Sequence, residues 1–493
     1  MSLRTVMSLA AAACVAGAYA APSAHAQALV TPVDQTAQAA PAAPATPPPA
    51  PPKHPIFGSP IGDIQISGHT ELGLSINPDS PANNANFGQP FTNGANAFRM
   101  NQTMFTVEHD TDSAATAMDY GFKFQTFYGT DARLTHFYNE FDRATNGPYQ
   151  WDINYAELNM HAPPAMFVSS GADFQIGEYA TPLGYEVIDA TGNPFYSHSY
   201  IFTYGLPYKH TGILGTFHVN DTVDIWGGWD TGVNDSFVGA KGNANASLLH
   251  GILGFGLNNL MGGNLTLVAL AHLGAENPVK SYATNVGGAN PYFIHSDQAT
   301  VQYYDANGTY KINDNLNITT EVNLIKNDAY GSSGGGLAQY VSYTLNDQWT
   351  LGARAEGFAD QSKGNGFTGF VTDCPGGQDA VDAERNTSYS PGPGPGGGPL
   401  SNNNVPNGCY GATGPNNIGN KAFNVLYSEL TIGASYTPPL TMPSTLGLVI
   451  RPEARLDNVI GGSRGLKPYD VNSKGNGTKT DQITLAVDAI LSF

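Results

Sequence analysis

"TLGLVIRPEARLDN", residues 445–458, sets Arg451, Glu453, Arg455 and Asp457 on alternate positions. Leu446, Leu448, Ile450, Ala454 and Leu456 occupy the places between them. A period of two puts the two sets on opposite faces of a strand. In a soluble sheet the charged face would simply meet bulk water. Whether it does here depends on what the rest of the chain builds.

Charged residues make up only 12% of the 493 residues, against 11% aromatics and 58 glycines. That balance disfavours a helical enzyme and favours many strands and turns. The formal net charge of −19 argues against nucleic acid as a partner. No unbroken apolar run approaches the roughly 18 residues of a membrane helix. The chain opens with one Arg, an apolar run and the small-residue pattern Ala24-His25-Ala26 before Gln27. This reads as a secretory signal peptide over 1–26, with acylation of Cys14 as a weaker alternative. Residues 27–60 are Ala/Pro-rich and read as an extended periplasmic spacer. Residues 61–493 read as one domain. Cys374 and Cys409 fall in one Gly/Pro/Asn-rich segment of the long connection 359–422, and in an exported protein they are expected to pair. Two free thiols is the alternative.

Helical periodicity is almost absent. Alternation recurs instead in about sixteen segments, the first near 62–76 and the last near 480–493. Connections after the even-numbered segments are short, as in 218–223, 259–264, 311–316 and 345–349. Those after the odd-numbered ones are mostly long, as in 77–98, 129–150, 180–206 and 359–422. Short turns on one side and long loops on the other predict a transmembrane antiparallel β-barrel with short periplasmic turns. The chain stops on "TDQITLAVDAILSF", whose alternate apolar positions run to Phe493. A last strand ending on Phe suits recognition by the outer-membrane barrel assembly machinery.

The stretches 177–212, "DIWGGWDTGVND" (224–235) and "IRPEARLD" (450–457) together resemble the OmpL-like β-barrel porin family of bacterial outer membranes. The resemblance covers nearly everything after the spacer. It implies a pore for small hydrophilic solutes or ions, bounded by outer-membrane lipid, with a homotrimer as one possible assembly and no cofactor. The long 359–422 connection is where the chain departs from that pattern.

Strand by strand, alternation assigns what faces the lumen. Glu71, Lys123, Glu321, Arg354, Glu356, Arg451, Glu453, Arg455 and Asp457 are the expected pore-lining charges, since a lipid-facing Arg near midplane costs roughly 2–4 kcal/mol. In sixteen-stranded porins the third loop folds inward, which here means 180–206, with Glu178 just before it and Glu186, Asp189 and His198 within it. Glu186 and Asp189 are expected to form an acidic side of a constriction facing Lys123, Arg451 and Arg455. Their alternative role is to tie the loop to the wall. His210 and His218 stand eight apart with no third donor nearby in sequence, so no metal site is expected. No nucleophile elbow, phosphate loop or CxxC pair appears, so no catalytic residue is assigned. Trp229 is a candidate lumenal stacking surface for sugars. The expected function is passive diffusion with mild cation preference. A carbohydrate-selective porin and a soluble secreted β-protein or adhesin are the alternatives.

Overall fold

The computed structural model describes residues 54–59, 62–137, 140–141, 148–164, 166–233, 236, 250–274, 300–327, 332–361, 425–439, 446–462, 467–473 and 477–493. The signal-peptide segment, Cys14, Cys374 and Cys409 lie outside them.

Strand β1 (His54–Ser59) is followed by β2 (Gly62–Ile76), β3 (Ala97–His109), β4 (Asp119–Gly129), β5 (Gln150–Ala162) and β6 (Ala172–Ala180). Next come β7 (Lys209–His218), β8 (Val223–Val233), β9 (Gly251–Asn259), β10 (Leu265–Gly274) and β11 (Val301–Asn313). The wall continues through β12 (Leu316–Asn327), β13 (Ser332–Asn346), β14 (Trp349–Asp360), β15 (Val425–Tyr436) and β16 (Gly447–Gly461). A small hairpin, β17 (Tyr469–Val471) and β18 (Gly477–Lys479), precedes β19 (Asp481–Ser492). Each wall strand pairs antiparallel with its neighbour, and β19 pairs with β2, so β2–β16 and β19 close a sixteen-stranded barrel. Closure pairs the backbone groups that hydrocarbon would leave unsatisfied.

Alternation places the side chains as the sequence predicts. Leu72, Phe105, Tyr120, Leu158, Ile432 and Leu485 point outward as exposed apolar groups. His69, Glu71, Arg354, Arg451 and Asp457 point inward and are buried. Tyr128 packs with Trp151 at the loop end of the wall, and Trp349 stacks on Tyr436 at the turn end. These positions suit two interfacial girdles. Among the mostly long connections after odd-numbered segments, the one between β12 and β13 is short, residues 328–331.

Phe493 and β1 share one edge of β2. Gly68 and Phe493 exchange backbone hydrogen bonds of 3.0 and 2.9 Å. A Cβ at Gly68 would come within 2.5 Å of the Phe493 ring, so a residue without one lets the terminal aromatic lie flat. Beyond that point β1 takes over the same edge of β2, with His54 opposite Ile66 and Ile56 opposite Ile64. The segment 54–59, assigned to the spacer from composition, is therefore a strand. An exposed edge on β2 is a pairing opportunity that β1 fills.

Candidate functional site

The buried core of this protein lies inside the barrel. The connection 181–208 between β6 and β7 enters the lumen, where Tyr200, Ile201, Phe202 and Tyr204 pack with wall residues Tyr340, Phe358 and Tyr427. The connection 77–96 adds Phe87 and Phe91 to the same cluster, and Phe91 packs against His198 and Phe202. The segment holds itself with short-range bonds. Asp189 Oδ1 accepts from the Thr191 amide at 2.9 Å and opens a 3-10 turn, Ala190–Gly192. The Asn193 side chain bridges the amide and carbonyl of Val187. A five-residue π-helical turn, Ile201–Gly205, follows.

A buried loop has no sheet partner, yet its peptide groups still need hydrogen bonds. Wall side chains supply them. Asp305 accepts from the Gly184 amide (3.1 Å) and Glu321 from the Tyr185 amide (3.0 Å). Glu453 accepts from Tyr196 and Ser197 (3.0 and 3.2 Å), and Glu356 from Tyr200 and Ile201 (2.6 and 2.7 Å). Guanidinium groups serve the carbonyls. Arg354 donates to Ser197 O (2.7 Å), Arg451 to Ala190 O and Asn193 O (2.9 and 2.6 Å), and Arg455 to His198 O (2.5 Å). The charged column of β16 thus alternates donor and acceptor along the peptide it binds. Asp457 completes it, accepting from the Tyr200 hydroxyl at 2.8 Å and from Gln89 Nε2 at 2.7 Å.

The remaining valences of these charges are met by other buried charges. Arg354 pairs with Glu186 and Glu429, Arg451 with Asp488 and Glu71, and Arg455 with Asp457. Glu186, a loop residue outside the spanning strands, also accepts from His198 (2.8 Å), the Ser199 amide (3.0 Å) and Tyr340 (3.1 Å). Burial alone would raise its carboxyl, but Arg354, His198 and the Ser199 amide hold it down at about 2.

Most of the expected pore-lining charges are therefore redefined. Glu71, Glu321, Arg354, Glu356, Arg451, Glu453, Arg455 and Asp457 face inward, but none is more than 7% exposed. The loop covers them. The expected field between Glu186 and Arg451 or Arg455 across an open gap is corrected, because both arginines are bonded to the loop itself. Glu178 belongs to β6 and bonds to Lys209 at 2.8 Å. Docking also relies on small wall residues that sequence reading passed over. Phe195 lies on Gly352 and Gly433 and beneath the Arg354 guanidinium, while Tyr196 fills the space a Cβ at Gly73 would take. Glycines at inward strand positions were the available signal.

The wall at β4 is different. Lys123 on β4 keeps 27% of its side chain exposed and lies 3.9 Å from Glu108 and over the Tyr155 ring. Its cross-strand partner on β5 is Glu157. Two residues along β4, Gln125 donates to Asp189 at 3.3 Å, and the Asp189 side chain keeps 26% exposure. Of the charged groups sequence reading assigned to the lumen, Lys123 and Asp189 retain substantial solvent access. Trp229 lies on the lipid face, while Trp226 is the inward tryptophan and is buried.

The expectation that His210 lacks further donors is also corrected. Strand closure brings Asp230 of β8 and His272 of β10 beside it. Nothing local in sequence signals this, since the three residues are 20 and 42 positions apart.

A family model described as beta-barrel porin-2, OmpL-like, matches residues 63–493. No curated protein matches the chain. Among solved structures, the outer-membrane channel DcaP of Acinetobacter baumannii is similar at 12% identity and a TM-score of 0.46, covering 89% of this chain and 99% of its own. The anion-selective porin from Comamonas acidovorans gives 10% identity and 0.46, over 87% and 99%. A trimer form of OmpT from Vibrio cholerae gives 11% and 0.44, again over 87% and 99%. The family match spans most of the sequence, and the chain belongs to the OmpL-like porins of the outer membrane.

Proposed function

We propose that this OmpL-like porin passes small hydrophilic solutes by passive diffusion and prefers cations mildly. The observation that carries the sign is the unequal fate of the lumenal charges. The three arginines of the β14 and β16 columns are at most 1% exposed and neutralised. Around Lys123 stand Glu108, Glu157 and Asp189, three carboxylates to one ammonium. Lys123 and Asp189 are the members a passing ion meets, and the field of the buried Glu108 and Glu157 behind them favours the cation. The segment 181–208 acts as the constriction, narrowing the lumen from the β11–β16 side. Phe493 on the last strand suits the assembly machinery, and a homotrimer is the assembly expected of such a barrel. The carbohydrate-selective reading loses its stacking platform with Trp229 on the lipid face.

Reversal potential in a KCl gradient across a planar bilayer tests the proposal. A potential of the sign for K+ preference is expected, and anion preference would overturn it.

A further inference from the structure

At the head of β7 two buried carboxylate clusters lie side by side and are neutralised differently. In the first, Lys209 supplies the cation, with Nζ 2.5 Å from Asp152 and 2.8 Å from Glu178. In the second, one residue further on, no Lys or Arg among the described residues pairs with Asp230. Two imidazoles meet it instead. His272 Nε2 lies 3.1 and 3.0 Å from the two carboxylate oxygens, and His210 Nδ1 lies 3.3 Å from Oδ2. The side chains of all three residues are fully buried.

We propose that His210, Asp230 and His272 form a binding site for a divalent transition metal, with Zn2+ as the ion tested first. The geometry suits it. One donor atom from each residue lies within 4.8 Å of the others. A tetrahedral ion with bonds of about 2.0–2.1 Å would hold its ligands about 3.3 Å apart, close to the carboxylate–imidazole separations seen. The rings of His210 and His272 stand 4.8 Å apart at 34°, so both edges reach the carboxylate from one side. The second nitrogen of His210 is also engaged, with Nε2 3.0 Å from Thr181 Oγ1. A metal-bound imidazole normally has such an outer partner, which fixes the ring and leaves the other nitrogen for the ion. The Gly232 amide holds Asp230 Oδ1 at 2.9 Å in the same way. Two imidazole nitrogens and one carboxylate are donors for zinc, nickel, copper or iron(II), and not for calcium or magnesium.

The site's position gives the ion a role. Thr181 is the first residue of the connection that enters the lumen, and His272 reaches Asp230 across the intervening strand β9. A bound ion would tie β7, β8 and β10 together at the root of the constriction. The competing arrangement is a purely hydrogen-bonded His–Asp–His group, and the test separates the two.

The full chain, without a polyhistidine tag, is folded in detergent, stripped with EDTA, given ZnCl2 and desalted, and its metal is counted by mass spectrometry. One zinc per chain is expected. Asp230→Asn and His272→Ala should each lose stoichiometric binding while still showing heat-modifiable migration. His218→Ala, at the other end of β7 among Asp173 and Asp224, should keep it. No retained zinc in the wild type, or undiminished zinc in Asp230→Asn, would overturn the site. Should the variants fail to fold, Co2+ in the wild-type protein decides. Visible ligand-field bands of a four-coordinate nitrogen and oxygen site are expected, and their absence overturns the proposal.

Discussion

The two sides of this lumen carry similar charges and use them in opposite ways. On β14 and β16, Arg354, Arg451 and Arg455 are enclosed, and each donates to a carbonyl of the inserted loop. On β4, Lys123 stays partly exposed with carboxylates around it. Inward orientation is common to both. What separates them is the segment 181–208, which reaches β4 through the Gln125–Asp189 bond but encloses the charges of β14 and β16 and turns them into hydrogen-bonding partners for a buried backbone. A charge inside a barrel is therefore not yet a charge in the pore.

Breaking the enclosed side should have the largest effect. Arg354→Ala strands Glu186 and Glu429 and removes the donor to Ser197 O. Removing one partner of such a buried group costs about 3–5 kcal/mol. Single-channel conductance should rise as the loop loosens, and the temperature of heat-modified migration should fall. Unchanged conductance would mean that the loop is not the constriction.

Gly73→Val attacks the same contact by volume rather than charge. Its Cβ would come within 2.1 Å of the Tyr196 ring, so the ring must move. Overpacking of this kind costs about 1–3 kcal/mol. A smaller rise in conductance is expected, with no change in ion preference.

Lys123→Gln probes the open side. Removing the ammonium leaves Glu108, Glu157 and Asp189, so the reversal potential should move further toward K+ while conductance barely changes. A shift in the anion direction would show that the sign argued from this group is wrong.

The smallest effect should come from acid. The carboxyl of Glu186 lies below its ordinary value of 4.5, at about 2. Its contribution to docking is therefore complete above about pH 4.5 and is lost as the pH falls toward about 2. Conductance should rise as the pH falls from about 4.5 toward about 2, and no rise there would break the assignment.

The sequence determined a good deal unaided. Alternation at period two is a local property, so the strands, their inward charges and the lipid-facing Leu72 or Ile432 could be read from neighbouring residues. The unequal connections identified the barrel, and Phe493 marked its last strand. Tertiary structure alone decided what the inward charges do. Glu453 meets Tyr196 and Ser197 across more than 250 residues, and Arg451 meets Ala190 across 261. Which residues these are depends on how far the loop enters and which wall it touches. The inward glycines 73, 352 and 433 control that contact through the space they leave for Tyr196 and Phe195. The same holds for His210, whose companions arrive only when β8 and β10 curve round to it. Periodicity fixes a side chain's direction, but its partner is set by closure and by the need of every buried peptide group for a hydrogen bond.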